Sequence, residues 1–197
     1  GGSVIGPSTR NGLTGLRPTF GRVSRYGGMV LAWTQDTVGP MCRSAEDCAL
    51  VLRAIARPDG LDLSVQDIPF NWDGNRDVSR MRVGYLEQAL DEIEDAAARR
   101  INRQTLDDLE ALGVTMTPID IPEWPYYVTA HGVEMAVFFD ELVRSGRAEL
   151  LGRQTRADSF RAARLIPAVE YLQSQRARMM MMMQLVLWKY KDVYRLF

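Results

Sequence analysis

A serine that follows two glycines can act as a nucleophile, and this chain opens Gly1-Gly2-Ser3-Val4-Ile5. The glycines carry no Cβ, so backbone amides can approach a bound group closely. Such amides can hold the oxyanion that forms when a hydroxyl adds to a carbonyl. The same three residues also suit a glycine turn with a capping serine. On these positions alone the turn is the commoner outcome, because short Gly/Ser patterns recur for that reason.

Other chemistries fit the residue inventory poorly. A Ser–His–Asp hydrolase needs a histidine. The one histidine, His131, precedes Gly132 in an aromatic-rich region, where a packed or surface role is expected. Cys42 and Cys48 with a single histidine do not make a zinc site, and their spacing is not that of a metal pair. No glycine-rich loop ending in Lys-Ser or Lys-Thr is present. Asp91, Glu92, Glu94 and Asp95 cluster where a helix is expected to open. Acids there complement the positive end of the helix dipole, which favours a solvated helix start over a catalytic dyad. Residues 179–183 are consecutive methionines and lead into Leu185, Val186, Leu187 and Trp188. A core or partner-facing helix is expected, since adjacent helical positions point in different directions and do not converge on a metal. The run is too short to span a bilayer.

The surrounding chain must supply the elements that place Ser3. Its 197 residues suffice for a domain with a real core, and 46% hydrophobic and 25% charged residues are ordinary for a soluble globular protein. A net charge of −1 gives no electrostatic case for direct nucleic-acid binding or an anionic membrane. Two cysteines make no disulfide framework, so a reducing, cytoplasmic setting is the default.

Residues 4–11 are expected to leave the serine as a short helix or loop, with Pro7 near a helix start. Strands are expected at 13–17, weakly at 29–33, and at 37–41, with a loop at 18–28. Ser44 should cap a helix whose apolar face is Ala45, Cys48, Leu52 and Ile55, which makes Cys48 a core residue. Residues 57–80 read as a surface connection. A strand at 81–86 and a helix at 91–112, with Ile93, Ala97, Ile101, Leu109 and Leu112 inward, are followed by Gly113 and a strand at 114–119. That order is a βαβ unit, with parallel strands and a right-handed crossover. Residues 124–197 read as mostly helical, with helices at about 125–145, 159–165 and 168–194. The fold class is therefore α/β, with helices covering a sheet.

A longer pattern decides between the two readings of Ser3. Gly15-Leu16-Arg17-Pro18-Thr19-Phe20-Gly21-Arg22-Val23-Ser24, then Asp36, Gly39-Pro40-Met41 and Arg43, stand in fixed register behind the opening Gly-Gly-Ser. This arrangement resembles the amidase signature family, the serine amidohydrolases that use a Ser–cis-Ser–Lys triad. The close match covers about residues 1–60. The resemblance implies a partial amidase-signature-like fold, a mixed sheet covered by helices. Residues 1–197 are then part of a single amidase domain, with its N-terminal portion absent and its C-terminal end also truncated.

By that resemblance Ser3 is the nucleophile, and Gly1 and Gly2 are what this chain holds of the oxyanion loop. The second serine and the lysine base occupy family positions upstream of residue 1. Lys189 and Lys191 match no family motif and are poor candidates for the base. The 197 residues alone are accordingly expected to be inactive. The implied reaction is amide hydrolysis: an acyl-enzyme forms, ammonia or an amine leaves, and water releases the acid. No metal or organic cofactor is required. The expected partners are a small-molecule amide and, in assembly, either a homo-oligomer or amidotransferase subunits. Nucleic acid and membrane are not expected as direct partners. Two alternatives stand beside this reading. One is the glutamine-hydrolysing amidase subunit of an aminoacyl-tRNA amidotransferase. The other is a degenerate, non-catalytic member acting in binding, motivated by Ile5 where the family usually has Arg; a further departure is Asn11, where many members have Cys.

Overall fold

The computed structural model describes residues 2–120 and 130–193. The chain divides into two compact units, Gly1–Trp72 with Tyr126–Phe197, and Asp73–Pro125.

The first unit opens with α1 (Gly2–Arg10), so Ser3 lies on the first turn of a helix and not in a turn ahead of one. Pro7 sits inside α1 and not at its start, and brings no N–H to the Ser3 carbonyl one turn earlier. Ser8 faces inward and donates its hydroxyl to the Val4 carbonyl at 2.8 Å. The Leu13 N–H then bonds the Ser8 carbonyl at 2.9 Å and turns the chain back beside α1. Here β1 (Thr14–Gly15) pairs antiparallel with β2 (Met41–Cys42), Thr14 opposite Cys42 and Gly15 opposite Met41. A Cβ on Gly15 would stand 2.4 Å from Ser8 Oγ, so glycine is what lets strand and helix approach this closely.

The strands expected at 13–17 and 37–41 thus shrink to two residues each. Pro18 and Pro40 flank them and offer no N–H to extend a ladder. The weak strand expected at 29–33 does not form. The N–H groups of Leu31 and Ala32 bond the Asp36 carboxyl, at 2.6 and 3.1 Å, in place of a neighbouring strand.

α2 (Ala45–Ile55) is capped as expected, Ser44 Oγ accepting the Asp47 N–H at 3.0 Å. Cys48 and Leu52 are buried in the core as expected, but Ala49 takes the place expected of Ala45, which is exposed. Residues 57–72 are more than a surface connection. Gln66 N–H bonds the Gly21 carbonyl at 2.9 Å, and the Arg22 guanidinium donates to the Ile68 carbonyl at 2.6 Å.

The C-terminal part of this unit is helical, as expected: α5 (Ala130–Phe138), α6 (Asp140–Arg144), a 3-10 turn (Arg147–Leu150), α7 (Gln154–Ala163) and α8 (Ala168–Val193). Of the helix expected at 125–145, residues 125–129 lie outside the described residues, and the remainder breaks at Phe139. The Phe139 ring stacks on Phe160 of α7 with centroids 4.8 Å apart. α7 begins at Gln154, earlier than the expected 159. Small buried residues, Ala136 on α5 with Ala157 and Ala163 on α7, accompany buried Phe160 and Met135 in this core.

The second unit holds β3 (Arg82–Tyr85), α3 (Glu87–Asp91), α4 (Ala96–Ala111) and β4 (Thr115–Pro118). β3 and β4 are parallel, Arg82 opposite Thr115 through Tyr85 opposite Pro118, as the βαβ reading requires. The helix expected at 91–112 begins later, as α4 at Ala96, and the short α3 ahead of it was not expected. The Asp95 carboxyl accepts the N–H groups of Ala97 and Ala98, at 2.7 and 3.2 Å, and starts a new helix. Arg103 on α4 reaches back to Glu87 and Asp91, so Asp91 closes α3 and does not open a helix. Ile101 and Leu112, expected inward, are mostly exposed; the half-covered stripe is Ala98, Leu106 and Leu109. Gly113, at φ +86°, ends α4 as expected. The α/β class stands, with the described strands in two two-stranded sheets, one antiparallel and one parallel.

Candidate active site

Ser3 opens onto a cavity of about 330 Å³ within the first unit. α1 contributes Ser3 and Val4, the loop after β1 contributes Arg17 and Arg25, residues 28–38 form much of the wall, and α5 contributes His131. The Ser3 residue is exposed. The first N–H groups of a helix have no partner inside it and carry the positive end of its dipole. A negative oxygen developing beside Ser3 would therefore meet donors that α1 itself leaves over. Gly2 is exposed at this same helix end, while Gly1 lies outside the described residues. His131 is exposed, in keeping with a surface role, yet it lines the same cavity as Ser3, which no sequence spacing indicates.

Arg25 lines the cavity, and the fold uses its donors. Its backbone N–H and Nε both reach Asp62 Oδ2 at 3.0 Å. One terminal nitrogen bonds Ser64 Oγ at 2.8 Å and the other the Trp33 carbonyl at 2.5 Å. The guanidinium also lies 4.7 Å from the centroid of the Phe20 ring. The Arg25 guanidinium, and next the Ser64 hydroxyl, hold the Asp62 carboxyl well below the usual carboxylate range. Arg25 is thus a fixed part of the wall. Arg17 is held more loosely, by one long bond of 3.5 Å to the Gln35 carbonyl.

Two carboxyl groups hold the backbone of the 28–38 wall. Asp36 holds the Leu31 and Ala32 N–H groups. Glu134 on α5, fully buried, takes the N–H and hydroxyl of Thr34 at 3.1 and 2.6 Å. Sequence reasoning misses Glu134. Its signal is a lone acid in the apolar run Val133-Glu134-Met135-Ala136-Val137, since an acid is rarely fully buried unless paired. Burial, with the Cys48 thiol beside it, pushes the Cys42 thiol up and away from thiolate chemistry. No cluster of His, Cys, Asp and Glu able to hold a metal occurs among the described residues. No helix there is long and apolar enough to cross a membrane. Lys189 and Lys191 fall on α8 where side chains are outside the described part. What the cavity offers is one exposed hydroxyl at a helix N-terminus, suited to acyl transfer once a base is supplied.

The family model named Amidase matches residues 1–196. The chain is 35% identical over 150 residues to a glutamyl-tRNA(Gln) amidotransferase subunit of Solidesulfovibrio magneticus, covering 73% of this chain and 31% of that protein. It therefore spans about three tenths of that relative's length. A solved amidase structure superposes with a TM-score of 0.74 at 23% identity, covering 94% of this chain and 40% of the other. The peptide amidase of Stenotrophomonas maltophilia superposes with a TM-score of 0.66 at 23% identity, covering 88% of this chain and 41% of the other. At these identities the two likenesses speak to fold.

Proposed function

The chain belongs to the amidase family, and from that premise we propose that the protein hydrolyses the C–N bond of a carboxamide with Ser3 as nucleophile. The observation that carries this reading is the exposed Ser3 at the first turn of α1, facing a cavity. Ser3 Oγ adds to the amide carbonyl as its proton passes to a base. The tetrahedral oxyanion is held by N–H groups at the head of α1, where Gly2 lies, and the family resemblance implies that Gly1 belongs to the same oxyanion loop. The C–N bond then breaks as the nitrogen takes up a proton, leaving an acyl-enzyme that water hydrolyses. The base in this scheme is a lysine reached through a second serine, as the family resemblance implies.

A second reading draws on the amidotransferase relative. In it the amide is glutamine, and the released ammonia passes to a partner subunit. Partner-dependent release of ammonia from glutamine would favour it, whereas partner-free hydrolysis of simple amides favours the first.

The test of Ser3 is covalent labelling of the full-length protein with a fluorophosphonate, comparing wild type with Ser3→Ala. The expected result is a label on the Ser3 peptide by mass spectrometry, lost in the variant. A folded wild type that takes no label at Ser3 would remove the nucleophile and leave the non-catalytic reading.

A further inference from the structure

We infer that Glu134 is a positioning residue of the Ser3 cavity: it anchors the turn carrying Thr34, and with it the cavity residues Gln35 and Asp36, to α5 and α8. The inference rests on the reading of Ser3 as nucleophile.

The turn is closed on itself. The N–H groups of Gln35 and Asp36 both bond the Ala32 carbonyl, at 3.0 and 2.9 Å, and Asp36 in turn accepts the Ala32 N–H. Ala32 is fully buried. Such a turn moves as a piece, so its location depends on what grips it from outside. Arg25 grips one side through the Trp33 carbonyl. Glu134 grips Thr34: Oε2 accepts the backbone N–H, and Oε1 accepts the hydroxyl.

α8 completes the anchor. Gln175 donates to Glu134 Oε1 at 3.3 Å, and Arg178 donates to Thr34 Oγ1 at 2.7 Å. Gln175 also bonds the Tyr171 hydroxyl at 2.9 Å. Tyr171, Gln175 and Arg178 recur at helical spacing and share one face of α8. His131 stands one turn before Glu134 on α5, so one helix both supplies a lining residue and holds the turn that supplies Gln35 and Asp36. A fully buried acid is costly unless its oxygens are satisfied, and a residue serving packing alone would be better apolar. Three donors converge on this one.

Glu134→Gln keeps the shape but turns an amide NH2 toward a Thr34 donor. Ser3 stays on α1, away from the disturbed turn. The experiment labels the full-length protein with a fluorophosphonate bearing a long amide-containing tail, and resolves the rate into KI and kinact. Glu134→Gln is expected to raise KI about tenfold and leave kinact within about twofold, because the wall that receives the tail has shifted. Thr34→Val should act in the same direction, and Thr34→Ser, which keeps both donors, should match wild type. Unchanged KI in both Glu134→Gln and Thr34→Val overturns the inference. So does a parallel loss of KI and kinact that tracks a fall in melting temperature, since that is a purely structural role. If Glu134→Gln does not fold, Thr34→Val against Thr34→Ser decides. A wild type without label on Ser3 fails at the control, and the inference falls with the nucleophile it rests on.

Discussion

Ser3 is exposed on the first turn of α1 and contributes little to packing. Ser3→Ala should therefore lower amide hydrolysis by the full-length protein about a thousandfold or more while moving its stability by no more than about 0.5 kcal/mol. Equal losses of activity and of folded protein would contradict that separation. Gly15 is the opposite case. An added Cβ meets Ser8 Oγ at 2.4 Å and Ser8 Cβ at 2.9 Å. Gly15→Ala should cost about 1–3 kcal/mol in chemical denaturation, and Ser8→Ala should relieve part of it in the double variant. If Gly15→Ala is neutral, the strand does not need the close approach. Ser44 and Cys48 were legible in the sequence, because cap and core stripe are local patterns, and the glycine motif that makes Ser3 a candidate is local too. Glu134 was not, because its meaning comes from Thr34, 100 residues away.

At the scale of elements, residues 57–72 show how a polar, Pro-rich stretch becomes structure. Their composition predicts a connection, and one acid, Asp62, with Arg22's bonds to the Ile68 and Pro69 carbonyls, pins them to the loop at 19–25. The Arg25–Asp62 pair is little exposed, at 11% for each side chain. Removing one partner would strand the other, at a cost of about 3–5 kcal/mol for Arg25→Ala. The pH dependence follows from the lowered carboxyl of Asp62. Its stabilisation is fully present above the unfolded-state value, and begins to be lost below about pH 4 as pH falls toward the folded-state value. Urea midpoints taken between about pH 3 and 6 should drop toward acid, and Asp62→Asn should flatten that limb. An acid limb unchanged in Asp62→Asn would assign the effect to other carboxylates. The βαβ unit was legible element by element, since its strands and Gly113 follow period and punctuation. The short α3 and the start of α4 at Ala96 were not: the acids at 91–95 read as one helix opening, whereas Asp95 alone caps α4 and Arg103 ties α4 back to Glu87 and Asp91 of α3.

The described residues leave much apolar surface uncovered. On α8, Met179, Met182 and Met183 are 59–63% exposed, and Leu185 and Val186 add to them. Contiguous exposed apolar side chains on a helix favour association. The 197-residue chain prepared by itself should bind a hydrophobic dye and elute larger than its 22.3 kDa monomer, with Met179→Gln and Met183→Gln together reducing both. A dye-free monomer that unfolds in one sharp transition would count against this. The sequence by itself determined the family, the candidate nucleophile and the α/β alternation, because residue type, fixed motif spacing and local periodicity carry them. Only the tertiary structure decided what surrounds Ser3. It put His131 in the same cavity, occupied the donors of Arg25, bound Asp36 to its own loop and buried Glu134 beneath the wall. The physical reason is that burial and hydrogen bonding belong to pairs of residues far apart along the chain, and no local pattern specifies which distant group will satisfy them.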